Sequence, residues 1–105
     1  MKTLRDLYDY LQIATRDYYG YHTTNEGFKM HIYNSKREAN FIFEDKVIGK
    51  IMFDPEYDEA QIVKVDNKQY ADYDNTIRVS IDSNIETLIN KVPPFMYRAI
   101  ITAIV

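Results

Sequence analysis

The constraint that most narrows the fold is the change of hydrophobic period that follows the first helical stretch. In residues 3–19, Leu4, Leu7, Tyr8, Leu11, Thr15 and Tyr18 recur at three- and four-residue steps, while Arg5, Asp9, Gln12 and Arg16 fall elsewhere. That spacing predicts an amphipathic helix. Thr3 is suited to its N-cap, Asp6 to its positive first turn, and Gly20 to a left-handed C-terminal position. A polar loop over 21–27 follows. From Phe28 the period becomes two, with Phe28, Met30 and Ile32 on one side of a strand and Lys29, His31 and Tyr33 on the other.

Alternation of this kind continues for most of the remaining chain. Residues 34–38 read as a polar turn. Phe41 and Phe43 then alternate inward until Glu44, Asp45 and Lys46 interrupt the pattern, which predicts a hairpin, a single bent strand being the rival reading. The second arm places Val47, Gly49, Ile51 and Phe53 on one side. The stretch 54–59 is a turn, because Pro55 fixes its own φ among short acidic residues. A strand over 60–66 and a polar loop over 67–75 come next. Ile77, Val79 and Ile81 against Arg78, Ser80 and Asp82 give the cleanest alternation in the chain.

Ser83 followed by Glu86 has the spacing of a capping box, and Ile85, Leu88, Ile89 and Val92 form a helical stripe that Pro93 and Pro94 end. Pro94 can itself open a last helix over 95–105, apolar on almost every face except at Arg98 and Thr102. The expected class is therefore α+β: an N-terminal helix, a four- to five-stranded, mostly antiparallel sheet and two short C-terminal helices. At 105 residues the chain supports one core, so residues 1–105 are expected to form a single domain.

Little in the sequence carries covalent chemistry. There is no Cys, which removes disulfides, thiol nucleophiles and thiolate metal sites and suits a cytoplasmic protein. His22 and His31 fall in a loop and on a strand face, without the ligand spacing of a metal site. Ser35 lies in a turn and Ser83 is accounted for as a cap, and no nucleophile elbow occurs. Gly20, Gly27 and Gly49 are too scattered to cradle a phosphate. Adjacent acids, as at Glu44 and Asp45, point apart on an extended chain. No catalytic residue, metal ligand or cofactor is assigned, and a non-enzymatic protein is expected; an enzyme would need His22 or His31 in a pocket with a convergent acid. The N-terminus lacks a signal-type apolar run, and residues 92–105 are too short for the roughly 20-residue membrane span.

Tyrosine is the distinctive feature. There are ten Tyr and no Trp, and several tyrosines stand among acids. Residues 54–74 hold seven acids and two lysines, a charge of −5 in a chain whose formal net charge is −3. Tyrosine combines a large apolar ring with a polar tip, and neighbouring carboxylates can pair with Lys or Arg across an interface. Tyr57, Asp58, Glu59, Tyr70, Asp72 and Tyr73 are accordingly the candidate partner-binding residues, and a basic surface of a larger protein is the expected partner. The two acidic stretches flank one strand, which at strand rise sets them roughly 20 Å apart.

In class, composition and element order, a small acidic α+β chain of this kind resembles the accessory proteins of Gram-positive phages and mobile elements. That resemblance implies an inhibitor of a host nuclease or CRISPR effector. The alternative is a small nucleic-acid-binding regulator. It would use Lys29, His31 and Tyr33 on one strand face with Lys36 and Arg37 in the next turn, against the opposition of the net negative charge. The apolar final helix further suggests a homodimer formed through it.

Overall fold

The computed structural model describes residues 3–14, 20–24 and 26–103. Helix α1 (Leu4–Ile13) is followed by strands β1 (Tyr21–Thr23), β2 (Lys29–Ile32), β3 (Glu38–Phe43), β4 (Lys46–Asp54), β5 (Glu59–Lys64) and β6 (Ile77–Ser80). A 3₁₀ turn (Tyr73–Asn75) lies between β5 and β6, and a second (Ile85–Asn90) and helix α2 (Pro94–Thr102) follow β6. The six strands form one antiparallel sheet in the order β1-β2-β3-β4-β5-β6. The α+β class is as expected, with six strands where the alternation predicts four or five.

The extra strand is β1, in a stretch read as loop. Tyr21, His22 and Thr23 pair with His31, Met30 and Lys29, and so short a run shows no readable alternation. Gly20, just before it, has φ 79°. It does not terminate α1, which ends at Ile13 with Ala14 as C-cap; the part of the predicted helix over 15–19 lies outside the described residues.

At the start of α1, Thr3 and Asp6 form a reciprocal capping box. The Thr3 hydroxyl accepts from the Asp6 amide, and the Thr3 amide donates to Asp6 Oδ2 at 3.0 Å. Leu4, Leu7 and Leu11 form the buried stripe. They pack with Met30, Ile32, Ala39, Phe41, Ile51, Phe53, Ala60 and Ile62 from one face of the sheet, and with Leu88, Met96, Ala99 and Ile100 from the C-terminal elements. The helices thus cover a single face and leave the other outside.

The β3–β4 connection is a two-residue hairpin, with Phe43 paired to Lys46. Glu44 and Asp45 both have positive φ, 50° and 63°, the backbone of a type I′ turn whose twist matches the strands. Further along, Phe41 pairs with Gly49 while Ile42 pairs with Val47, so Ile48 is an extra residue in β4. The bulge places Val47 beside Ile42 on the outer face and lets Ile48 pack against the core, where strict alternation put Val47 on the inner side. Gly49 lies under Met96 of α2, and a Cβ there would fall inside van der Waals contact with the Met96 sulfur.

One C-terminal expectation is corrected. Ser83 and Glu86 form no capping box. The turn begins at Ile85 with Asn84 as N-cap, no side-chain cap is made, and the helix is 3₁₀ in type. The reason is a tie to the N-terminus: Leu4 N donates to Ser83 O at 3.0 Å and Thr3 forms an isolated antiparallel bridge with Asn84, which keeps that backbone extended. Helix α2 buries Met96, Ala99, Ile100 and Thr102 within the chain itself. The burial demand behind the expected homodimer is thereby met internally for most of that helix. No helix of the described residues is long and apolar enough to cross a membrane.

Candidate interaction surfaces

The β4–β5 turn projects Tyr57 from the end of the sheet. Asp54 pairs with Glu59 across the hairpin, and Tyr57 N donates to Asp54 O at 3.2 Å. Asp58 takes the left-handed conformation (φ 52°) that reverses the chain, a conformation Asp tolerates better than most residues. Its backbone carbonyl accepts from Ile81 N at 2.8 Å. Arg5 reaches over from α1, with Nη2 2.9 Å from Asp58 Oδ1 and Nε 2.6 Å from Asp82 Oδ1. This pairing raises the Arg5 pKa, first through the Asp82 hydrogen bond and then through Asp58. The hydrogen bond from Arg5 correspondingly lowers the Asp82 pKa. Tyr57 is left 78% exposed at the tip of this tethered turn.

Of the predicted contact acids in this turn, both have partners inside the chain: Asp58 pairs with Arg5, and Glu59 with Arg78 at 3.2 Å. Arg5 is the clamping residue that sequence reading missed. Its place on the polar side of an amphipathic helix is visible in the sequence, but its reach to Asp58 and Asp82 depends on how α1 lies against the sheet.

Tyr70, Asp72 and Tyr73 lie in the connection between β5 and β6, at the other end of β5. The six residues of β5, a rise of about 20 Å at 3.3 Å each, lie between the two groups. Asp66 organises this connection, accepting at Oδ1 from the Lys68 and Tyr70 amides, both at 2.9 Å. The Gln69 side chain pairs with both backbone groups of Val47, extending the sheet by an amide rather than a strand. Asp72 accepts from Asn75 Nδ2 at 2.9 Å. Tyr70 and Tyr73 are 69% and 57% exposed.

The outer sheet face carries a row of rings. Tyr21 and His31, neighbours across β1 and β2, stack with centroids 4.8 Å apart and planes at 23°. His31 and Tyr33 follow at 5.4 Å. Asn40 Nδ2 donates to the Tyr33 hydroxyl at 3.1 Å, and Lys50 Nζ stands 5.1 Å from the Tyr33 ring centre. A hollow of about 250 Å³ opens beside this group, lined by Tyr33, Asn40, Lys50, Gln69 and Tyr73 among others. Of the basic residues expected with Tyr33, Lys29 is exposed on the same face. Lys36 is drawn away, its Nζ donating to Gln12 O at the end of α1.

The two histidines do not converge. His31 is on the outer face, whereas His22 pairs with Met30 on the inner side and bonds the Tyr10 hydroxyl through Nε2 at 2.8 Å. Burial raises the Tyr10 pKa. Among the described residues no group of three or more His, Asp or Glu is placed to hold a metal ion. Compared with protein-family models, with curated proteins and with solved structures, the chain matches none of them.

Proposed function

We propose that this protein is a non-enzymatic binding module whose β4–β5 turn engages a basic surface of a larger protein. The observation that carries the reading is the Tyr57 side chain, 78% exposed on a turn that Arg5 ties to both Asp58 and the segment after β6. An exposed aromatic ring on a tethered turn loses little conformational freedom on binding, and tyrosine is enriched among the residues that dominate interface energy. Asp54 and Glu56 stand beside Tyr57, and with Asp58, Glu59 and Asp82 they outnumber Arg5, Arg78 and Arg37, whose carbonyl accepts from Phe53 N beside the turn. The excess favours a cationic partner, mainly by steering encounter. An inhibitor of a nuclease or CRISPR effector is the form of this reading that the chemistry suits best, because the nucleic-acid grooves of such enzymes are basic. Tyr70, Asp72 and Tyr73, at the far end of β5, would contribute only to a partner broad enough to span the sheet.

The clean probes are Tyr57 and Glu56, since Asp58 is part of the Arg5 clamp and its reversal would disturb the turn as well as the charge. With a partner captured from a host lysate, Tyr57→Ala is expected to weaken binding at least tenfold, the range of an interface hot spot. Glu56→Lys should slow association and flatten its salt dependence. Retention of the partner at unchanged affinity by both variants would refute the reading.

A further inference from the structure

The outer sheet face holds a second surface, chemically unlike the acidic turn. Lys50 is its centre. The side chain is only 14% exposed, and its ion pair with Glu38 is 3.8 Å long, beyond hydrogen-bonding distance. The ammonium instead lies near the face of Tyr33 and lines the 250 Å³ hollow with Asn40 and Tyr73. A cation held among rings and amides on the wall of a hollow offers its protons to whatever enters.

We propose that this hollow receives one nucleotide unit of a single-stranded nucleic acid, its base stacked on Tyr73 and its phosphate on Lys50, with the strand running along β2 toward Lys29. The chemistry matches on each count. Rings on an open sheet face stack bases with little regard to sequence, and lysines beside them neutralise phosphates. Asn40 offers an amide to a base edge. The rest of the ring row has a narrower role. Tyr21 and His31 stack on one another, and Tyr33 is engaged by His31 and Lys50, which leaves the Tyr73 ring for stacking. The site differs from the one sequence reading suggested, because Lys36 is turned toward α1 and Lys50, on β4 two strands from β2, takes its place. The surface is separate from the Tyr57 turn, and its test reads a different ligand.

The test is fluorescence anisotropy with labelled 12-mers of oligo-dT and oligo-rU, titrated at several salt concentrations, with unlabelled UMP as competitor. Binding is expected to weaken with salt. Tyr73→Ala removes a largely exposed ring and should cost roughly five- to hundredfold, the span of a single base–aromatic stack. Lys50→Met should weaken binding and reduce the salt slope by about 0.7, the loss of one single-strand phosphate contact. Glu38→Gln removes the carboxylate that competes for the ammonium and should tighten binding. Melting temperatures of the three variants establish that each is folded. The proposal falls if no anisotropy change occurs up to about 1 mM protein, above the usual non-specific range. It falls equally if the three variants bind like the parent, or if UMP competes as well as an equal concentration of 12-mer.

Discussion

Arg5 joins two carboxylates that the sequence keeps far apart, one in the β4–β5 turn and one just after β6, and its effect depends on pH in a definite direction. The Asp82 pKa is lowered in the folded chain by the Arg5 hydrogen bond, so the pair stabilises the fold above the ordinary Asp value, about 3.9. That contribution is lost as pH falls through the lowered folded value, when Asp82 takes up a proton. Arg5, raised further above an already high pKa, stays charged throughout. Both partners are well exposed, and exposed ion pairs contribute little each, so the melting difference should be small. Arg5→Met is expected to lower the melting temperature at pH 7 by an amount that holds down to about pH 4 and fades below it. A difference that persisted at pH 2 would mean that Arg5 acts through the packing of its stem rather than through charge. High salt should narrow the gap at neutral pH as well, because the pair is open to solvent.

At the level of elements, β4 shows where pattern reading stops. The alternation of Ile51 and Phe53 was legible and is realised, as was the hairpin marked by Glu44, Asp45 and Lys46. The bulge at Ile48 was not, because a one-residue insertion leaves a composition that fits either register and only the pairing with β3 decides. In the same way, Ser83 and Glu86 have the right spacing for a capping box but are overruled by the tie to Thr3 and Leu4. A local signal lost to a contact between chain positions some eighty residues apart. The seat of α2 on β4 gives the element-scale prediction. Gly49→Ala would crowd the Met96 sulfur in a fully buried site and should cost about 1–3 kcal/mol in chemical denaturation, as overpacked cores do. Met96→Ala alone should cost about 2–5 kcal/mol through the cavity it leaves. In the double variant the Gly49 penalty should disappear, giving a coupling that a double-mutant cycle reads directly. Additive losses would show that α2 shifts as a unit to accommodate the methyl group.

Across the whole molecule, every strand pairs with its neighbour in sequence, and protection is expected to follow that order. β3 and β4 are flanked on both sides, whereas β1 is three residues long and lies at the rim of the sheet. Native-state hydrogen exchange should find the slowest amides in β3 and β4 and progressively faster ones toward β1 and β6. Equal protection in β1 and β4 would contradict a sheet that opens from its edges. The candidate surfaces were legible in kind but not in arrangement. Exposed tyrosines among acids could be named from the sequence, since turns face solvent. The neutralisation of Asp58 and Glu59 by arginines, and the meeting of Tyr33, Asn40, Lys50 and Tyr73, arise from strand register and loop path.

The tie of Thr3 and Leu4 to residues 83–84 also sets an order of events on the ribosome. Each hairpin of the meander can close soon after its second arm emerges, but α1, made before the sheet it packs on, has no final anchor until residues 83–84 are out. Its leucine stripe must wait uncovered or lean on unfinished neighbours, so the nascent chain is most vulnerable to chaperone capture just before the segment following β6 leaves the exit tunnel.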